Sequence, residues 1–303
     1  MVALEEALKH NNRLASNQLV FLFMDERSDR IAHLKNELQG FNLPGNFLVH
    51  AVTGQFENEI ANLLDRLASS GAQLAPTFAF IDPFGFKGLP FSLVRQLLEN
   101  SKTEVFVNVM VDAINRFLEH PDLQTRQHIV ELFGTQRVLQ IAQRPCNRIA
   151  ELRLLYQEQL STCARFVRYF EMRDRHNRTI YYLFFASNHP LGHVKIKEAF
   201  WKIDPSSGFR FSDATNPNQL VLFEVDETSK LTTDLTKAFA NQRVTVEEII
   251  KYVEDETPFI TTHMRRALRL LEEENKITVA EYKLNGKKRR KNTYPKDAVV
   301  EFS

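Results

Sequence analysis

Only two cysteines, Cys146 and Cys163, occur in 303 residues. Neither has a second Cys or a His at ligand spacing, which excludes a disulfide framework and is expected of two reduced thiols in a cytoplasmic chain. Long apolar runs are also missing. No stretch reaches membrane-spanning length and the N-terminus lacks a basic-then-apolar leader, so no membrane contact is expected. Excess charge of either sign is absent: the formal net charge is +1, so any nucleic-acid signal must be local. The phosphate-cradling G-x-x-x-x-G-K-S/T loop, H-E-x-x-H and G-x-S-x-G are all absent, and the nine histidines are scattered. Metal catalysis therefore has no support, and no metal ligands are expected.

What is present fits a globular chain of two domains. The sequence is 43% hydrophobic and 25% charged, with 24 phenylalanines, which points to aromatic-rich cores. The densest stretch runs from Ala75 to Phe91, A-P-T-F-A-F-I-D-P-F-G-F-K-G-L-P-F. Phe78 to Ile81 reads as a strand buried on both faces. It ends in Asp82-Pro83-Phe84-Gly85, where Pro83 stops the ladder and Gly85 can take a positive φ. An apolar helix with Leu93, Val94, Leu97 and Leu98 follows. Open α/β sheets place their chemistry at such strand ends.

The rest of residues 1–203 repeats that alternation. Leu19 to Met24 and Asn46 to Val52 read as strands, followed by helices whose apolar residues are Ile31, Leu34 and Leu38, then Ile60, Leu63, Leu64 and Leu67. Ser28 is expected to cap the first of these helices. Glu104 to Val111 makes a fourth strand, and the order implies a mostly parallel sheet with right-handed crossovers. A helical insertion covers about 116–163. Phe166 to Met172 and Thr179 to Ala186 flank a polar turn and read as an antiparallel hairpin closing one sheet edge. Residues 204–228 read as a linker, with Leu220 to Val225 as one more candidate strand.

Residues 229–303 change character. Three short helices are expected, the second opened by a Thr245/Glu248 capping box. The third carries Met264, Leu268 and Leu271 on one face and Arg265, Arg266 and Arg269 on the other. Two strands then flank a tip containing Lys287, Lys288, Arg289, Arg290 and Lys291. This is the order of a winged helix-turn-helix. A solvated hairpin tip would show the same charge run, but two basic surfaces on one small module favour phosphate contacts with DNA or RNA. Winged helices also bind proteins, which keeps a protein partner open.

Candidate site residues in the first domain follow from position. Asp25 ends a strand where nucleotide-binding folds receive ribose hydroxyls, although it equally begins a turn. Gly54 and Gln55 end the next strand, and a Gln can both donate to and accept from an adenine edge. Asp82 and Phe84 stand in a loop similar to the (Asn/Asp)-Pro-Pro-(Tyr/Phe) loop of amino-methylating enzymes. There an aromatic stacks on the target base, an interaction of about 1–3 kcal/mol. A tight turn with Phe84 in the core is the structural alternative.

Three segments carry a family resemblance: F-A-F-I-D-P-F-G-F-K-G-L-P-F, T-I-Y-Y-L-F-F-A-S-N-H-P-L-G-H-V-K-I-K-E-A-F-W-K-I-D, and the basic winged tail. Together they resemble the bacterial three-Cys-motif partner family over nearly the whole chain. The resemblance implies a Rossmann-like, class I methyltransferase-type sheet, S-adenosylmethionine as cofactor and a partner protein carrying three cysteines. It implies Asp25 at the ribose, Gln55 in place of an acid facing adenine, and Asp82, Pro83, Phe84 and Gly85 in the target loop of an amine methylation. Asn115-Arg116 matches an Arg-containing segment of unassigned role. The family begins with a strand and glycine loop, about D-x-F-A-G-P-G, whereas here Met1 stands inside the helix that follows. A first strand is thus expected to be missing, the sequence is expected to be a truncated reading, and the chain as given is expected to be inactive or nearly so. The rival expectation is a non-catalytic binding module working with the cysteine-rich partner.

Overall fold

The computed structural model describes residues 2–83, 85–212 and 228–303. The chain opens with α1 (Val2–Lys9) and α2 (Asn11–Leu14). Next come β1 (Leu19–Asp25), α3 (Ser28–Leu38), β2 (Phe47–Thr53), α4 (Phe56–Ser69), β3 (Thr77–Ile81), α5 (Phe91–Glu99) and β4 (Thr103–Val109). A helical stretch follows: α6 (Val111–Phe117), α7 (Leu123–Phe133), α8 (Arg137–Gln140), a 3-10 turn and α9 (Arg148–Ser161). The first domain ends with β5 (Phe166–Arg173), β6 (Thr179–Ser187), α10 (Pro190–Ile203) and β7 (Arg210–Ser212). The last elements are α11 (Thr228–Ala238), β8 (Arg243–Thr245), α12 (Val246–Glu256), α13 (Thr261–Glu273), β9 (Ile277–Val279) and β10 (Val299–Phe302). Phe84 and the expected Leu220–Val225 strand lie outside the described residues. Among the described residues no helix is long and apolar enough to cross a membrane.

The first domain is a mixed α/β structure with mostly parallel pairing. β1–β2, β3–β4 and β5–β7 pair in parallel, while β4–β6 and β6–β5 are antiparallel. Among the described residues the strands form two sheets, β1-β2 and β3-β4-β6-β5-β7. β1 and β3 therefore pair along one edge each. The β5–β6 hairpin forms as expected but does not close its edge, because β7, inside the expected linker, adds outside β5. Asp204 organises that crossing: its carboxylate accepts from the Ser206 and Ser207 hydroxyls and from the backbone N–H of Arg210.

The structure corrects two sequence expectations. Only Ile81 of β3 is buried, whereas Phe78 and Phe80 are each 58% exposed and Val20 of β1 is 59% exposed. The strands are apolar on both faces, and on the face bearing Phe78 and Phe80 both rings contact Phe106, itself in contact with Phe200 of α10. The fully packed core lies further along, where β4 and β6 meet α5, α6, α7 and α9 around Val107, Ile114, Phe133, Tyr156 and Phe184. Ser28 is the first residue of α3, not its cap; Arg27 holds that position without a side-chain bond.

Residues 228–303 pack around their own core, with Leu231, Leu235, Ile249, Leu268 and Val300 all buried. The capping box forms as the sequence predicts: Thr245 accepts from the Glu248 backbone, and Glu248 accepts from the Thr245 N–H. The three-stranded sheet β8-β10-β9 closes this domain. Its first strand, three residues long, is too short to show a period in the sequence.

The two domains are joined at the C-terminal end of α12, whose last carbonyls have no helical partner. Lys197 of α10, buried, donates to the carbonyls of Val253, Glu254 and Thr257. His193 Nε2 donates to Glu254 O at 2.7 Å, Arg168 to Thr257 O at 2.9 Å, and Trp201 Nε1 to Pro258 O at 2.8 Å. Cations at this end also complement the helix dipole. Burial, then the nearby Arg168, pull the Lys197 amine down to about 7, and burial with Arg168 and Lys197 takes His193 to about 3.

Candidate functional site

The parallel pairing brings one group of expected site residues together. Asp25 and Thr53 are register partners at the ends of β1 and β2, and the Gly54 N–H donates to Asp25 O at 3.1 Å. The Asp25 carboxylate accepts from the Arg27 backbone N–H at 2.8 Å and from Arg30 Nη1 at 3.2 Å. The Arg27 N–H, and then Arg30, hold this carboxyl below its ordinary value against the opposing effect of burial. Gln55 stands at the N-cap of α4, where Asn58 donates to its Oε1 at 3.0 Å. Gly54 is closely approached: a Cβ there would meet the Glu59 side chain at 2.7 Å.

A second group sits at the end of β3. Gly85 takes φ +87°, the left-handed conformation its turn requires. Exposed Asp82 leaves the strand and accepts from Asn108 Nδ2 of β4 at 2.7 Å. Asn108 is a residue that sequence reasoning missed. It interrupts an otherwise apolar strand, E-V-F-V-N-V-M-V, and that interruption was the available signal. Among the described residues no hydrogen bond or ion pair joins the Asp25–Gln55 group to Asp82, and the two groups stand on separate sheets. Arg116, the resemblance's unassigned arginine, makes an i,i+4 ion pair with Asp112.

The second domain presents the basic groups. Arg265, Arg266 and Arg269 are exposed in the first nine residues of α13, opposite buried Met264, Ala267, Leu268 and Leu271. None of the three makes an ion pair among the described residues. Lys287, Arg290 and Lys291 are likewise exposed and unpaired, whereas Lys288 pairs with Glu281 at 2.5 Å. Arg289 departs from expectation. Its side chain is only 7% exposed and donates to Glu272 at 2.7 Å and to Thr293 O at 3.0 Å, tying the wing to α13. Tyr294 donates to the other Glu272 oxygen at 2.6 Å. The basic run thus divides into one internal strut and four outward cations.

Three helices, a three-stranded sheet and a basic wing make residues 228–303 a winged helix domain. The family model of the GMT-like wHTH domain matches residues 210–281 of this chain. That span covers β7, all three helices of the winged domain and β9. Compared with curated proteins and with solved structures, the chain finds no match.

Proposed function

We propose that this protein binds nucleic acid through its winged domain. Supporting this, six exposed cations on α13 and the wing have no ion-pair partner among the described residues. Helix-turn-helix proteins place the N-terminal part of the recognition helix in the major groove, which is where Arg265, Arg266 and Arg269 stand. Lys287, Lys288, Arg290 and Lys291 would meet the flanking phosphates. Each neutralised phosphate adds about 0.9 to the slope of log affinity against log salt on duplex DNA. Alanine at Lys287, Lys288, Arg290 and Lys291 should therefore weaken binding and flatten that slope by about 2–4. Unchanged affinity and slope would defeat the reading and favour a protein partner.

For the first domain we infer a Rossmann-like, S-adenosylmethionine-dependent methyltransferase-type scaffold of the three-Cys-motif partner kind. Asp25, Gly54 and Gln55 would face the cofactor, and Asp82, Pro83, Phe84 and Gly85 an amine of the target, with a three-cysteine protein as partner. Two observations support this. The candidate groups stand at carboxyl ends of parallel strands, and β1 and β3 each keep an edge unpaired among the described residues, where one further strand would join the sheets. Titration calorimetry with S-adenosylmethionine tests this reading: saturable binding would support the cofactor assignment, and no binding would count against it.

A further inference from the structure

Beyond the winged surface, a cavity of about 480 Å³ opens where β4 ends and β6 begins, between α6, the first turn of α9, β5 and β7. Its wall is built around Glu171, which is buried and accepts from Arg173 Nε at 2.9 Å, Arg210 Nε at 2.8 Å and Thr179 Oγ1 at 2.5 Å. Burial opposes the charge on this carboxyl, but those three hydrogen bonds outweigh it and hold Glu171 below its ordinary value. A carboxylate so occupied has little capacity left for a ligand. Its effect is to fix two guanidiniums by their Nε edges, leaving both Nη groups of Arg210 unused among the described residues.

Arg153 supplies a third guanidinium, 4.6 Å from the centre of the Tyr169 ring; its Nη1 donates to Gln157 Oε1 at 2.7 Å, and it pairs with no carboxylate among the described residues. Two other lining charges are already matched, Arg178 by Asp174 and Asp112 by Arg116. Three arginines against one carboxylate leave an excess of two positive charges. The N-terminus of the 14-residue helix α9 opens on the same wall at Asn147 and adds its dipole. A guanidinium can carry an aromatic ring on one face and a flat base on the other, and Arg153 lies over the Tyr169 ring at 4.6 Å and Arg210 over the Phe209 ring at 5.1 Å. The side-chain oxygen of Asn115, on the same wall, is buried and has no hydrogen-bond partner among the described residues. A cavity of this size lies within the about 300–1,000 Å³ usual for small ligands.

We propose that this cavity binds a nucleoside monophosphate group, its phosphate between Arg153 and Arg210 and its base against the stacked guanidiniums and Asn115. The group could be free or the end of a single strand. Calorimetry with adenosine monophosphate, adenosine and inorganic phosphate tests it. Saturable binding of the monophosphate is expected, with adenosine and phosphate each bound at least about tenfold more weakly. Arg153→Gln should lower monophosphate affinity about tenfold, the usual effect of losing a charged hydrogen bond. Should that variant melt early, Arg153→Lys, which keeps the charge and loses the fork, should still reduce affinity. No saturable binding of the monophosphate, equal binding of adenosine or of phosphate, or unchanged affinity in a folded Arg153 variant would overturn the proposal. Alanine substitution of the four outward wing cations should leave monophosphate affinity unchanged, so failure of the winged-surface reading is told apart from failure of this one. In that wing-substituted background, tighter binding of a 5′-phosphorylated oligonucleotide than of the mononucleotide identifies a strand end as the source. Equal binding identifies the free nucleotide.

Discussion

The winged domain and the β1–β2/β3 region treat apolar residues in opposite ways. Leu235, Leu268 and Val300 of the winged domain are fully buried, while Val20, Phe78 and Phe80 are each more than half exposed. Both regions have sequences patterned for burial. The difference lies in cover: α11, α12, α13 and three strands close on one another, whereas β1 and β3 keep a free edge and an open face among the described residues. An apolar face left open in this way marks a surface where another segment or molecule belongs. The winged domain is closed with its chemistry outside, and the sheet is open beside its candidate residues.

The largest expected effect breaks the comparison at the core. Leu268→Ala should destabilise the winged domain by about 2–5 kcal/mol, the range for a buried leucine. Phe80→Ser should change stability by less than about 1 kcal/mol, because little buried area is lost, and should improve solubility. Chemical denaturation of both variants checks the pair. A large loss for Phe80→Ser would mean that its face is covered after all. At the joint, Lys197→Met removes one donor from each of the carbonyls of Val253, Glu254 and Thr257, which keep Thr257 Oγ1, His193 Nε2 and Arg168 respectively. It should cost about 0.5–1.5 kcal/mol for each hydrogen bond lost.

His193 extends the comparison to pH. Its folded value of about 3 lies below the about 6.5 of an unfolded histidine. Between those values the unfolded chain holds the extra proton, so stability should fall as pH drops through that window. Burial, then Arg168, Lys197 and Arg165, oppose a charge on this ring, while the Glu254 carbonyl favours one. His193→Gln should flatten the decline in a pH series of melting temperatures. An unaltered profile would place the acid sensitivity elsewhere.

The same contrast explains what could be read from residues alone. The winged domain was legible because its helices are amphipathic and its core is local: Thr245 and Glu248 announce a helix start, and Met264, Leu268 and Leu271 announce a face. The parallel alternation of β1 to β4 was legible for the same reason. The exposure of Phe78 and Phe80 was not, since it depends on which segment lies across the sheet. β7 was hidden in a polar stretch because Arg210–Ser212 pairs through its backbone. The Glu171 cavity was also hidden. Its arginines come from positions as far apart as Arg153 and Arg210, brought together only by the β5–β6 and β5–β7 registers. Likewise the basic wing looked uniform, and only the Arg289–Glu272 contact divides it.

That division yields the smallest effects and the sharpest test. Arg289→Ala removes a donor from Glu272 in a nearly buried pair, and among the described residues the remaining carboxylate keeps only Tyr294. Stability should fall by about 1–3 kcal/mol. Lys287→Ala touches an exposed side chain without an ion-pair partner among the described residues, and stability should stay within about 0.5 kcal/mol of the parent. Nucleic-acid affinity should follow another order. Lys287→Ala should lower the salt slope by about 1 if it meets a phosphate, whereas Arg289→Ala should act on binding only as far as the wing loosens. Low temperature separates the two, because a wing that is merely loosened recovers affinity on cooling while a lost phosphate contact does not. If Arg289→Ala left stability intact but lowered the salt slope like its neighbours, the strut would instead be a phosphate contact, and the five basic residues would act as one surface.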